Sequence, residues 1–468
     1  MNRILTFAAL IGLVLTGCTL APEYHRPAAP VAAAWPQGAT TKTDKPAARA
    51  AADIGWREFF RDARLRDLIG LALTNNRDLR VAVLNVQVAQ AQYRIQRADL
   101  LPQIAGTGSF TRQRSPAYQL FQGENAVNNQ YSLGVGTTAY ELDLFGRVRS
   151  LKAQALEKYF ATGEARMNAQ MALVAAVAEQ YLTWVELNEQ LGVADRTLKS
   201  VQQTYDLNRR SYDAGNASEL DLRTAEAQVA SARVSVAGYE QQRSQAEHAL
   251  VLLVGRDLPA QLPRGRSLEQ ERVIGDLPAG LPADLLLRRP DIREAEYQLE
   301  AANANIGAAR AAFLPTIKIT ANAGVASSQL TSLFATGSGT WLFNPEITVP
   351  IFAAGQNKAN LEVAKLNKQI EVANYEKAIQ TAFREVADGL AAKAFLDAQV
   401  AGQEQLVKAE QRRYDLAEAR YRVGTDSYLT VLSAQQELYA AQQNMLSLRY
   451  ARLANLIGLY QALGGGWQ

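Results

Sequence analysis

The chain of 468 residues contains one cysteine, Cys18, and two histidines, His25 and His248. A disulfide within the chain is therefore excluded. A structural zinc site, which needs about four Cys or His ligands, cannot be assembled. Cys–His and Ser–His–Asp nucleophilic catalysis have almost no raw material. No GxSxG, HExxH or P-loop is present. The pairs Gly106/Gly108 and Gly134/Gly136 lack the third glycine of a dinucleotide loop and read as strand glycines. Only four methionines occur, Met1 included, so no soft-ligand relay for copper or silver is visible. Lys plus Arg is 49 against 46 for Asp plus Glu, and a net charge of +3 gives no field that would draw nucleic acid. An enzyme has little to work with here, and no cofactor is expected apart from a covalent lipid.

What is present begins at the N-terminus. "MNRILTFAALIGLVLTGC" has one positive charge, Arg3, then an apolar run, then small residues. That is the layout of a secretory signal over residues 1–17, too short for a spanning helix. It ends in "LTGC", which resembles the bacterial lipobox, where the cysteine is acylated and becomes the first residue of the mature chain. The alternative is a buried free cysteine in an ordinary signal peptide. Several acyl chains on Cys18 would anchor the protein, at about 0.8 kcal/mol per buried CH₂. In such signals Asp after the cysteine favours the inner membrane, and Thr19 favours the outer one.

Residues 18–61 form the lipidated N-terminus and an extended segment whose Ala/Pro-rich part, 19–52, reads as a tether rather than a core element. Helical spacing then runs over 62–100 and stops near Pro102. Strands are expected at about 103–115 and 130–145, separated by a polar loop at 116–129. A long helix follows at 151–213, a glycine break at Gly215, and a helix at 219–254, which completes a first repeat over 62–255. A Pro-rich link covers 256–283. A second repeat, 284–463, has a helix at 283–313 and strands at about 315–327 and 340–352. It continues with a long helix at 356–423, a break at Gly424 and a helix at 427–460, leaving a tail at 464–468. "YDLNRRSYDAGNASELDLRTAEAQ" (205–228) and "YDLAEARYRVGTDSYLTVLSAQQE" (414–437) align without a gap at a shift of 209, with 8 of 24 positions identical. The order helix, two strands, long helix, glycine turn, helix is thus made twice.

The long helix at 151–213 would reach roughly 95 Å at 1.5 Å per residue. Each half can therefore supply a tall helical hairpin with Gly215 or Gly424 at its tip. Four strands cannot close a barrel, and open edges are not tolerated in a bilayer, where bacterial barrels have even strand numbers from eight upward. Either several chains close one barrel together, or the strands belong to a soluble sheet on a lipid-tethered coiled-coil scaffold. In the first case the alternation in "TWLFNPEITV" turns Trp341, Phe343, Ile347 and Val349 to lipid, with Leu342, Asn344 and Thr348 facing inward.

Four segments carry a resemblance: "GWREFFRDARLRDLIGLALTNNRDLRVA" (55–82), "YELDLFGRVRS" (140–150), "LLLRRPDIREAEYQLEAANANIGAARAAFLP" (285–315) and "YRVGTDSYLTVLSAQQ" (421–436). Together they are similar to the outer-membrane efflux channel family, of TolC-like fold, in its OprM-type lipoprotein branch. The resemblance covers nearly the whole mature chain. It implies an α+β membrane protein and a homotrimer. Twelve strands, four per chain, would form one outer-membrane β-barrel, continued by twelve helices as a periplasmic α-barrel. A mixed equatorial domain would be built from the termini and the link. It also implies a passive exit duct in the outer membrane, completed by a periplasmic adaptor and an inner-membrane resistance-nodulation-division transporter. The cargo would be small molecules such as antibiotics, solvents or dyes. Metal-ion efflux and protein secretion are the alternatives within the family. Gly215 and Gly424 become adaptor-facing tips. Leu429, Ser433 and Gln436, spaced i, i+4, i+7, share a helix face. In resembling channels that face narrows the periplasmic mouth, often with an aspartate and an arginine. Ser433 and Gln436 depart from that pattern and weaken the expected cation selectivity. Asp221, Tyr421 and Arg422 match the positions of a latch that ties one hairpin to its neighbour.

Overall fold

The computed structural model describes residues 19–35, 50–116, 127–263, 265–271, 273–275, 277 and 282–467. Cys18 and the signal segment 1–17 lie outside them, as do 117–126 of the polar loop. The chain divides into two compact units. One comprises Met1–Ala28, Asn85–Gly163 and Glu294–Glu376, and the other Ala29–Leu84, Glu164–Arg293 and Lys377–Gln468. In order, the α-helices are α1 (Trp56–Phe59), α2 (Ala63–Asn75), α3 (Arg77–Ala98), α4 (Arg147–Asp213), α5 (Glu219–Val254), α6 (Pro282–Arg288), α7 (Pro290–Ala311), α8 (Gln356–Arg422) and α9 (Tyr428–Ala462). The strands are β1 (Ala105–Arg114), β2 (Val127–Leu142), β3 (Thr316–Ser327) and β4 (Gly339–Thr348). No described helix is long and apolar enough to cross a membrane.

In the first unit the strands form one antiparallel sheet in the order β1-β2-β3-β4, so β1 and β4 carry free edges within the chain. The sheet passes into α4 through the "ELDLFGRVR" stretch. Asp143 accepts hydrogen bonds from the backbone N–H of Val148 (3.2 Å) and Arg149 (2.9 Å) and pairs with the Arg149 guanidinium. These bonds satisfy donors that a helix start otherwise leaves open. They explain why β2 ends at Leu142, short of 145, and why the helix begins at Arg147, ahead of 151. Gly146 makes the corner with φ +73°, and Glu141 clamps Arg147 with two bonds of 2.7 and 2.6 Å. At its other end β2 starts at Val127 instead of 130, because Asn128 and Asn129 pair with Gln113 and Arg112 of β1. β4 stops at Thr348, short of 352, where Pro350 has no N–H for a ladder.

Residues 19–35 of the N-terminal segment carry no helix or strand and do not hang free. Arg26 makes a bidentate pair with Glu296 of α7 (2.6 and 2.9 Å), and Tyr24 donates to the same carboxylate. Asn303 and Arg310 donate to the carbonyls of Pro22 and Leu20. A Cβ added at Gly307 would fall 2.7 Å from the Ala21 nitrogen, so α7 is shaped to receive this strand of chain.

The second unit has its core where a tether was expected. Residues 50–61 are not extended: a 3₁₀ turn (Ala51–Asp53) and α1 place Phe59 and Phe60 fully inside. Phe59 stacks on Tyr460 of α9 at 4.0 Å, and the Tyr460 hydroxyl donates to the Ile54 carbonyl. The tail is likewise buried around Gly464–Gly466. The helix expected over 62–100 is broken at Asn76. That residue is extended, and its side chain accepts from Leu79 N–H at 2.9 Å and donates to the Leu253 carbonyl. The helix expected over 283–313 is broken between Arg288 and Pro290, where proline removes a helical donor and starts α7. Arg289 at the break is buried. It grips Asp291 through two bonds of 2.9 and 2.6 Å, Glu385 of α8, and the Ala462 carbonyl. "RRPDIREAE" is therefore a charged clasp between helices.

Candidate functional site: a two-faced sheet and two hairpin tips

Residues directly opposite in an antiparallel pair share a face of the sheet. The registers place Phe110 against Tyr131, Leu133 against Val325, and Val135 against Ala323, which is in turn against Trp341. Phe343, Ile347 and Ile317 continue the same side. Phe110, Leu133, Val135, Trp341, Phe343 and Ile347 are all exposed. The opposite side carries Ser109, Ser132, Lys318, Asn322, Asn344 and Glu346, with the Ser109 and Ser132 hydroxyls 2.7 Å apart. The sequence-derived facing of Trp341, Phe343 and Ile347 against Leu342, Asn344 and Thr348 agrees with this register. Val349 lies beyond the end of β4.

One feature of β2 preserves the two faces. Tyr131, Leu133, Val135 and Thr137 are odd-numbered, whereas Tyr140 and Leu142 are even. A bulge between Thr137 and Tyr140, with Ala139 at φ +54°, absorbs the extra residue and returns Tyr140 to the apolar side against Ile319. Nine residue steps separate Tyr131 from Tyr140, roughly 30 Å of strand. The stacked pair Phe110–Tyr131 (4.6 Å) and Tyr140 thus sit at two separate levels of the apolar side, which Leu142, Ile317 and Ile347 continue past Tyr140. An exposed apolar band, aromatic residues at two levels and strands of 10 to 16 residues suit a bilayer-crossing sheet.

In the second unit both hairpin turns are built alike. Gly215 (φ +76°) and Gly424 (φ +79°) occupy the left-handed region. Asn216 N–H donates to the Ser211 carbonyl and Gly215 N–H to that of Tyr212. Thr425 and Gly424 do the same toward Arg420 and Tyr421. Each is a Schellman turn, in which glycine carries the positive φ at no steric cost. After the first turn Ser218 caps α5, accepting from Asp221 N–H (3.1 Å) and donating to its carboxylate (2.7 Å). The second turn is held by Arg420 and Asp426, paired at 2.7 and 2.9 Å.

The expected latch residues do not meet within one chain. Asp221 is engaged by Ser218, Tyr421 donates to Asn208 Oδ1, and Arg422 reaches Glu418 at 2.7 Å. Asp221 is still near enough for its charge, after burial, to raise the Tyr421 hydroxyl pKa above its usual value. Leu429, Ser433 and Gln436 do share an exposed face of α9, opposite a buried one. Arg413 donates to Ser433 (3.2 Å), Gln436 to Gln228 (3.5 Å), and Leu429 is 69% exposed. The buried face joins Ala225, Ala417, Tyr428, Val431, Leu432 and Ala434, with Tyr205, Tyr414 and Tyr421 packed at its edge. Two residues escaped sequence reasoning. Leu220, the repeat mate of Leu429, is 76% exposed, and the 209-residue shift already pointed to it. Asn208 is fully buried, with its Nδ2 left without a partner. Its repeat mate is Ala417, so no sequence signal marked it.

The model of the family described as outer membrane efflux protein matches residues 68–256 and 281–465. The chain belongs to the outer membrane efflux protein family. Both hairpins and the sheet lie within or between those matched stretches. Over 467 residues the chain is 50% identical to the toluene efflux pump outer membrane protein TtgC of Pseudomonas putida, covering 100% of this chain and 96% of that one. It is 42% identical over 459 residues to the cation efflux system protein CusC of Escherichia coli, covering 98% of each. Among solved structures, the open state of the Neisseria gonorrhoeae MtrE outer membrane channel superposes with a TM-score of 0.88 at 41% identity. That match covers 96% of this chain and 99% of the other. As a family member the protein is an outer-membrane efflux channel protein with a helical majority and a small sheet.

Proposed function

We propose that three copies of this chain close one twelve-stranded barrel and act as the passive outer-membrane exit duct of a tripartite pump. The observation that carries this is the two-faced sheet with free edges at β1 and β4. An exposed apolar side must meet lipid, and edges in lipid must be paired. Three chains at four strands each give an even-numbered barrel, with the polar side lining the bore. The six Schellman-turned tips then form the periplasmic mouth, where a ring of adaptor hairpins meets Gly215 and Gly424. A resistance-nodulation-division transporter loads the duct, and Cys18 carries the lipid anchor. The 50% identical relative is named for toluene, so solvents and antibiotics are the favoured cargo. The cation efflux relative is less similar, and the described residues group no three metal-ligating side chains.

The test is incorporation of the purified protein into planar bilayers, with its mass measured in mild detergent. Discrete conductance steps from a species of three chains are the expected result. A monomer without conductance would return the lipid-tethered scaffold to favour. Deleting the gene should sensitise cells to toluene, and restoring the gene should restore resistance.

A further inference from the structure

The second unit contains a cavity of about 610 Å³ among its helices. It lies among α4, α8, α9 and the Pro-rich link, within the 300–1,000 Å³ typical of small-molecule sites. Val193, Val407, Met445 and Leu446 supply its apolar wall. Gly192 keeps part of that wall open. A Cβ there would meet only the guanidinium of Arg196, at 3.6 Å.

The charges around this wall are unevenly committed. Glu189 accepts the backbone N–H of Leu268 at 2.7 Å. Glu269 and Glu404 both face Arg449, at 3.1 and 3.5 Å. All three acids therefore have partners, and burial, the largest influence on Glu189, also raises its pKa. The side chains of Arg196 and Lys408 line the same cavity and make no hydrogen bond or ion pair with any described residue. Two uncommitted cations beside an apolar wall accept a negative head and an apolar body together. A cationic ligand would meet Glu269 and Glu404 already paired with Arg449, and Glu189 already accepting a backbone N–H. A neutral one would leave both cations unanswered.

We propose that this cavity binds amphipathic monoanions of drug size, with a carboxylate or sulfonate between Arg196 and Lys408 and an apolar ring body on Val193, Val407, Met445 and Leu446. The site is independent of the conduction proposal, since it needs only the folded chain.

Two probes sharing a naphthyl–phenylamine body separate the contributions. One is 1-anilinonaphthalene-8-sulfonate, and the other is N-phenyl-1-naphthylamine, which lacks the sulfonate. Titrated into the full-length protein in lipid nanodiscs, the sulfonate should give a saturable fluorescence component of one site per chain. Arg196→Gln with Lys408→Gln should weaken it by about tenfold or more, the equivalent of roughly one charge-assisted hydrogen bond. The neutral probe should change less than about twofold on the same scale. Gly192→Leu, whose Cβ meets nothing nearer than the Arg196 guanidinium at 3.6 Å and whose side chain is added to the cavity wall, should remove both signals. Circular dichroism and gel-filtration profiles matching the parent show that each variant is folded. The proposal is overturned if the parent shows no saturable sulfonate binding, if the charge variant binds it unchanged, or if both probes weaken equally in that variant.

Discussion

Glu271 sits in the Pro-rich link, 7% exposed, and neither carboxylate oxygen has a hydrogen-bond partner among the described residues. Burial, then the charge of Asp62, push its carboxyl up to about 7, while Arg266 pulls the other way. Asp62 is the pin of this region. It accepts from the backbone of Arg64 (2.7 Å), the Tyr181 hydroxyl (2.8 Å) and the backbone of Arg266 (3.2 Å), which joins the link to the start of α2. A carboxyl with a raised folded-state pKa favours the protonated native form. Its stabilising contribution is complete below the ordinary carboxylate value and is lost as pH rises through about 7. Amide hydrogen exchange in residues 265–275, corrected for its intrinsic pH dependence, should therefore quicken between pH 5.5 and pH 8. In Glu271→Gln that increase should vanish. An equal increase in both proteins would show that Glu271 does not govern the link.

At the scale of elements, the sheet offers a paired comparison. Phe343 lies on the apolar side and Asn344 on the polar side of the same strand. A charge on the lipid face near mid-depth costs up to about 2–4 kcal/mol per chain, while one on the bore side is tolerated. Phe343→Lys should reduce assembled trimer in outer-membrane fractions at least several-fold, and Asn344→Lys should leave it near the parent level. The reverse order would mean that the two faces are exchanged. The alternation of β4 made its face legible from sequence alone, because a strand wetted on one side must alternate. β2 was legible as a strand, but the change of phase after Thr137 passed unread, since a bulge is fixed by its partner strand. The break at Asn76 carried a local signal that was missed. Asparagine is a favoured helix cap, and Asn76 accepts the Leu79 N–H while its amide also reaches the Leu253 carbonyl, 177 positions away. Pro290 was a visible signal, and the arginine before it hid how completely that turn is buried. Residues 53–61 read as the end of an extended segment because the alanine and proline before them diluted Trp56, Phe59 and Phe60, the side chains that fill the core.

For the whole molecule, the repeat at a shift of 209 residues was the strongest sequence signal, and both copies fold to the same Schellman turn. The copies differ in what surrounds the turn, and the proposed closure of the periplasmic mouth can be tested on that difference. Tyr421 is tied inside its own chain to Asn208, whose Nδ2 is already unsatisfied. Tyr421→Phe would leave the buried amide with no partner at all, at a cost of about 1–3 kcal/mol to the hairpin itself. Arg422 is different. Its bond to Glu418 is an exposed i,i+4 pair, worth roughly 0.3–0.5 kcal/mol, so little prevents it from reaching a neighbouring hairpin. The two substitutions therefore test different contacts. Tyr421→Phe should raise single-channel conductance of the isolated trimer by loosening its own hairpin. Arg422→Ser should raise it only if the arginine bridges to the next chain, as a latch between hairpins requires. Combined, they should admit large antibiotics to cells lacking the pump. If Leu429 lines the proposed mouth, Leu429→Ala should leak as well, because it removes an exposed apolar side chain. Conductance raised by Tyr421→Phe but unchanged by Arg422→Ser would confine the latch to single chains, with Leu429 and its repeat mate Leu220 left to close the mouth.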